Sequence, residues 1–313
     1  MLLQQNRAVW IRREICGILG VAEKRTCRMM KRIYVELEDK LPDGQLKHMV
    51  EELEAAGIGV CMQVPEGKEV LEEFLILTDR QDIVDLAWRK HIACVGYEPP
   101  GTKQMLSRVR TVVQGLEGVN AGFLEKVYQR HWGIPWMLAE TKRLVIRESV
   151  PEDFDRFYEI YQEPGMTAYM PGLTKCREKE RKAFLAYIHE MYSFYEYGLW
   201  TVVEKFSGRV IGRAGLENGT YRGEPVLEIG YMLSGKYQKR GYGLEAVKAV
   251  TDYGFLVLGA KTIYAFIDEK NRDSLRLIQR AGFQKAESEG ERICVFCCDR
   301  KESPCISYRN QLK

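Results

Sequence analysis

Gln238-Lys239-Arg240-Gly241-Tyr242-Gly243 is the segment of this chain best suited to hold an anion. Glycines let a chain turn tightly and let backbone N–H groups come close to a ligand. A helix beginning there would add its unpaired N–H groups and the positive end of its dipole. Lys239 and Arg240 bring further positive charge, and the combination suits a pyrophosphate. A short glycine turn before a helix is also the form of an ordinary loop, so its meaning depends on its setting. The cysteines point away from metal chemistry. Cys294-Val295-Phe296-Cys297-Cys298 resembles a metal knuckle in spacing but sits in an apolar, strand-like run. No second Cys/His pair follows at zinc spacing, so the expectation is a buried strand and no metal. Nine cysteines, an odd count, read as reduced thiols of a cytosolic protein. His91 and His131 read as surface or packing histidines.

The elements that must position these groups follow from length and pattern. A chain of 313 residues, 45% apolar and 29% charged, is comfortable for two domains with buried cores. A net charge of +3 is too small to make nucleic acid or a membrane the main partner. Gln4-Gln5-Asn6-Arg7 interrupts any apolar leader, and no apolar window is long enough to span a bilayer. A cytoplasmic protein is expected. The chain divides near Gly133 and Pro135, giving domains over residues 1–138 and 139–313.

In the first domain, Leu46, Met49, Val50 and Leu53 share a helix face that ends at Gly57. Strands are expected at Ile58–Val64, Phe74–Leu77 and Ile92–Gly96, with a helix between the last two whose Ile83, Leu86 and Ala87 face inward. Strand, helix, strand at this spacing predicts a small parallel sheet, a Rossmann-like accessory domain. Asp79 and Asp82 sit where a helix favours N-terminal acids. The tryptophans of Trp132-Gly133-Ile134-Pro135-Trp136 are expected to bury apolar area where the two domains dock. In the second domain, Leu144 and Ile146 alternate in a strand, and Pro151-Glu152-Asp153-Phe154 opens a helix. A helix over Glu178–Tyr195 and strands at Trp200–Glu204, Arg209–Leu216 and Val226–Leu233 follow, with Phe206-Ser207-Gly208 as a hairpin turn. Then come a helix Tyr242–Leu258, a strand Thr262–Ile267, a helix Asp273–Arg280 and a last strand.

The run from Glu228 through Gly243 resembles the acetyl-CoA motif of the GNAT acetyltransferase superfamily: a strand, a glycine-containing loop, then a helix. Asn271-x-x-Ser274 followed by Ala281-Gly282-Phe283 resembles that family's second motif. Thr141-x-Arg143-Leu144 and Pro151-x-Asp153 resemble the opening of its ribosomal-protein N-terminal acetyltransferase branch. The likeness covers about residues 141–300 and implies an α/β fold with a mixed, splayed sheet and flanking helices. It implies acetyl-CoA as co-substrate and a primary amine, on a peptide or a small molecule, as acceptor. Backbone groups of Tyr231, Met232 and Leu233 would pair with the pantetheine arm. The N–H groups of Gln238, Lys239, Arg240, Gly241, Tyr242, Gly243 and Leu244 would hold the pyrophosphate, and Asn271 would lie near the thioester. Some histone-type members carry a general base at the position of Glu228.

An ammonium must lose a proton before it attacks a thioester. Glu228, Glu217 at the end of the preceding strand, and a water chain are the candidates for taking it. An Arg such as Arg213 is a cross-strand partner to consider for Glu228. Many relatives place a proton-donating Tyr on the last helix, where this chain has Ile278. Ser274 is a substitute donor, or else an N-terminal cap or first-turn residue of that helix. Tyr187, Tyr192, Phe194, Tyr195, Tyr197 and Trp200 read mainly as core, with some free to wall the acceptor pocket, as could Tyr169 and Met170. A chain of this pattern without catalysis, an acetyl-CoA-binding sensor, is the alternative reading. The first domain also resembles, faintly and at Thr78 alone, haloacid-dehalogenase-like phosphatases. It lacks their paired nucleophile aspartates, so no independent catalysis is expected there.

Overall fold

The computed structural model describes residues 30–38, 44–63, 73–103, 105–288, 290 and 292–300. Cys16, Cys27, Cys305 and Val64 lie outside them. The chain separates into two compact units, with the break between Trp136 and Met137.

The first unit is a parallel sheet of β1 (Arg32–Glu36), β2 (Gly59–Cys61), β3 (Phe74–Thr78), β4 (Ala93–Tyr97) and β5 (Thr111–Val113). The strand order is β2-β1-β3-β4-β5. All five residues of β3 are buried, as a central parallel strand covered on both faces requires. On one face Ile33, Val35, Leu75, Leu77 and Val95 pack with Met49 and Leu53 of α1 (Gln45–Ala55) and Leu124 and Tyr128 of α3 (Ala121–His131). On the other, Tyr34, Phe74 and Ile76 pack with Ala87 of α2 (Gln81–Lys90) and with Ile92. The buried face of α2 is Val84 and Ala87, while Ile83 and Leu86 are half-buried. Ala87 and Ile83 pack against the core as expected, and Val84 is buried with them. Trp132 packs edge-on against His91, His131 and Tyr128, and Lys126 lies over the Trp136 ring, all within this unit.

The second unit is an eight-stranded sheet in the order β12-β13-β11-β10-β9-β8-β7-β6. Its strands are β6 (Met137–Glu140), β7 (Leu144–Arg147), β8 (Leu199–Glu204), β9 (Arg209–Tyr221), β10 (Glu224–Leu233), β11 (Thr262–Asp268), β12 (Gln284–Lys285) and β13 (Ile293–Asp299). Neighbours are antiparallel except β10 and β11. Helix α6 (Tyr242–Leu256) packs so closely on one face that a Cβ at Gly254 would lie 2.7 Å from Ile263 and 2.9 Å from Leu216. Against the other face lie α4 (Phe154–Tyr161) and α5 (Arg177–Glu190), joined through Phe154, Phe157 and Phe184. The expected single helix to Tyr195 is α5 followed by a π-helical turn, Met191–Tyr195. A buried ion pair fixes the entry to α4: Arg147 Nη1 and Nη2 donate to Asp153 at 2.6 and 2.8 Å. Thr201 Oγ1 and the Val150 N–H donate to the same carboxylate, which satisfies the buried charge.

The β9–β10 hairpin is longer than the sequence predicts. Arg222 and Gly223, with φ of 54° and 79°, make its tip. Glu217 therefore does not end a strand: it stands mid-strand, directly opposite Glu228.

Candidate active site

The site begins where β10 and β11 part. β10 pairs with β9 along its whole length, from Glu224↔Tyr221 to Leu233↔Gly212. Its other edge meets β11 at the single register pair Glu228↔Tyr264. From Ile229 to Leu233 that edge has no strand partner among the described residues. An open edge of extended backbone is a template for an extended, amide-bearing ligand. Tyr231, Met232 and Leu233, the residues expected beside the arm of acetyl-CoA, lie in this stretch.

The same strand leads into the anion turn. Gln238 Nε2 donates to the Leu233 carbonyl at 2.8 Å, tying the turn to the strand end. Lys239 and Gly241 both have positive φ, 57° and 82°. Gly241 is the N-cap of α6 and no side chain caps it. The first-turn amides of Tyr242, Gly243 and Leu244 therefore receive no side-chain cap, and the positive end of the helix dipole lies behind them. A clamp holds this turn in place. Glu245 Oε1 accepts from the Thr141 hydroxyl at 2.6 Å and the Arg143 N–H at 2.8 Å, and Oε2 accepts from Arg143 Nε at 2.7 Å. Arg143 Nη1 also donates to the Arg240 carbonyl at 3.0 Å, and its guanidinium stacks on Tyr242. Burial pushes the Glu245 carboxyl up, but the hydrogen bonds from Thr141 and Arg143 outweigh it and hold the group below its usual range. The Thr141-x-Arg143 motif was legible; its partner Glu245, an acid in the first helical turn, was not singled out. Gly243 serves packing: a Cβ there would lie 2.7 Å from Leu277 of α7 (Arg272–Arg280).

Asn271 is the N-cap of α7, and its Oδ1 accepts the Ser274 N–H at 3.2 Å. The cap role considered for Ser274 therefore belongs to Asn271, and Ser274 is a first-turn residue, the other reading given to it; its hydroxyl has no hydrogen-bond partner among the described residues. Ile278 is completely buried and is core.

On the α4–α5 side of the sheet, Glu217 and Glu228 face each other across β9 and β10. A Cβ at Gly219 would lie 3.1 Å from Glu228 Oε2, and one at Gly230 would lie 3.4 Å from Glu217 Oε2, so the two glycines leave room for the carboxylates. Burial, and then the charge of Glu217, push the Glu228 carboxyl up to about 7. Arg213, considered as a partner for Glu228, is opposite Met232 instead and stacks on Phe157, Phe184 and Tyr187. The Tyr187 hydroxyl accepts the Leu199 N–H at 2.7 Å and donates to Glu217 Oε1 at 3.2 Å. Tyr197 donates to Asn218 Oδ1 at 2.5 Å. The aromatic cluster therefore divides. Tyr192 and Trp200 are core, Tyr187 and Tyr197 line the acid pair's strand, and Phe194 and Tyr195 are exposed beside them in sequence. Among the described residues no group of three or more His, Cys, Asp or Glu could hold a metal. No helix among them is long and apolar enough to cross a membrane.

Residues 143–284 match the family model described as the Acetyltransferase (GNAT) domain. The uncharacterized protein YkkB of Bacillus subtilis (strain 168) is 28% identical over 157 residues, spanning 49% of this chain and 90% of the relative. The uncharacterized N-acetyltransferase p20 of Bacillus licheniformis is 28% identical over 150 residues, 46% of this chain and 81% of the relative. A crystal structure of an acetyltransferase from Agrobacterium tumefaciens str. C58 aligns at 22% identity with a TM-score of 0.45, covering 52% of this chain and 94% of that one. Residues 143–284, which carry the open strand edge, the uncapped turn and the acid pair, are a GNAT domain, an acetyl-CoA-dependent acyltransferase.

Proposed function

We propose that the domain transfers an acetyl group from acetyl-CoA to a primary amine, directly, in a ternary complex. The observation that carries this reading is continuity. The free edge of β10 runs into the uncapped turn at Gly241, and the Glu217–Glu228 pair stands where that edge begins. Amides of Gln238 to Leu244, with Lys239 and Arg240, hold the pyrophosphate; the open edge aligns the arm and offers N–H groups to the thioester carbonyl. The acids attract an ammonium group, and Glu228, with an affinity for protons near neutrality, takes the proton that must leave before attack. The acceptor is the amine of a small molecule or of a peptide N-terminus.

The first unit is proposed as a non-catalytic accessory module. The acids at the ends of β1 and β3 are already engaged: Arg80 pairs with Glu36, Glu38 and Asp82, and Asp79 accepts the Glu38 N–H. Thr78 donates to the Glu36 carbonyl and so serves the strand end itself.

The deciding experiment incubates the full chain with acetyl-CoA and a panel of polyamines, amino sugars and N-terminal peptides, following thiol release and product mass. Amine-dependent release with an acetylated product is expected. Tight acetyl-CoA binding with no release on any acceptor would replace catalysis with sensing.

A further inference from the structure

Expelling a thiol from a thioester leaves negative charge on sulfur, and a proton donor beside that sulfur lowers the barrier. The sequence offers Ser274, an aliphatic hydroxyl, and the completely buried Ile278 has no proton to give. The structure supplies a stronger acid. Tyr231 lies in the stretch of β10 that has no strand partner on the β11 side. Strand alternation puts its side chain on the face opposite Glu228. Its hydroxyl donates to the Ser274 carbonyl, in the first turn of α7, at 3.4 Å. The phenol therefore bridges β10 and α7 at the place where the two strands separate, on the face of the sheet opposite the acid pair. That hydrogen bond is long for an O–H donor, so the hydroxyl is weakly held and can turn to another acceptor.

We propose that Tyr231 is the general acid of the reaction, donating its phenolic proton to the departing sulfur of CoA. The inference rests on the acetyl-transfer reading above. The amine nitrogen forms its bond to the acetyl carbon, and the proton it sheds passes to Glu228. As the carbon–sulfur bond breaks, its electron pair stays on sulfur and the Tyr231 proton joins it, giving the free thiol and the amide. The phenolate and the protonated Glu228 then exchange with solvent, which restores both groups. Burial pushes the Tyr231 phenol up, despite the opposing hydrogen bond to Ser274, so the proton is present throughout the neutral range.

The test uses the full chain with Tyr231→Phe and, separately, with 3-fluorotyrosine at position 231. Tyr231→Phe should lower kcat by about 10²-fold while leaving acetyl-CoA affinity unchanged, since a general acid acts on the transition state. The fluorine resonance of the second protein should move on adding CoA and stay in place on adding desulfo-CoA. The alkaline limb of its kcat profile should also move to lower pH, following the more acidic phenol. An unchanged kcat in Tyr231→Phe, or equal fluorine shifts with CoA and desulfo-CoA, would overturn the assignment. The fluorine comparison needs no turnover and no loss of the ring. A sulfur-dependent shift in a chain that acetylates no amine would support the placement of Tyr231 while refuting the acetyl-transfer reading.

Discussion

Glu228 shares its face of the sheet with Glu217, and this pairing sets its behaviour. With the carboxyl pushed up to about 7, kcat/KM should climb along a limb centred near neutrality. Glu228→Gln should lower turnover by about 10²-fold and flatten that limb, with acetyl-CoA affinity unchanged. Glu217→Gln removes the neighbouring charge, so the surviving limb should shift to lower pH. A pH–rate series on the three proteins checks both, and an unmoved limb in Glu217→Gln would deny the coupling. Stability follows the same group with opposite consequence. The folded Glu228 keeps its proton above the pH, about 4.3, at which an unfolded glutamate loses it. The native state binds the extra proton, so this group withdraws stability as pH rises from there to about 7. Glu228→Gln should therefore melt higher than wild type at pH 8. The acids themselves were legible as candidates. Their opposition was not, because Glu217-Asn218-Gly219-Thr220 has no apolar alternation to mark the continuing strand.

The N-terminus of α6 is the element on which co-substrate binding turns. Gly241 has φ of 82°, a region costly for residues with a Cβ, and a Cβ there would lie 3.3 Å from Arg143 Nη2. Gly241→Val should weaken acetyl-CoA binding about tenfold or more, the value of one charge-assisted hydrogen bond, as measured by calorimetry. Gly243→Ala should act on packing, because its Cβ would meet Leu277 at 2.7 Å. A destabilisation of about 1–3 kcal/mol in denaturant titrations is expected from overpacking of that kind. Glu245, held below its usual range, contributes stability that is complete above about pH 4.3 and is lost as pH falls further. Glycines and flanking cations made this element readable from sequence. The clamp of Thr141 and Arg143 on Glu245 was hidden, because it joins residues about a hundred positions apart. β1 went unread for a related reason: three apolar residues between Arg32 and Glu36 make a strand only when neighbouring strands supply the partners.

Each unit of the molecule has its own buried core, so each is expected to fold by itself. A fragment beginning at Met137 should unfold cooperatively and bind acetyl-CoA as the full chain does, and a fragment that fails to fold would contradict this division. The fold class of the second unit was readable because motifs came in order along the chain. The first unit was readable only as strand–helix–strand, since a buried parallel sheet shows short apolar runs and no signature of its use. Hydrogen exchange with and without acetyl-CoA tests the central claim most directly. The predicted result is slowed exchange at the amides of Ile229–Leu233 and Tyr242–Leu244, with the peptides of residues 30–136 unchanged. Acetyl-CoA that binds without protecting those two stretches would show that the open edge of β10 and the turn at Gly241 are not its site.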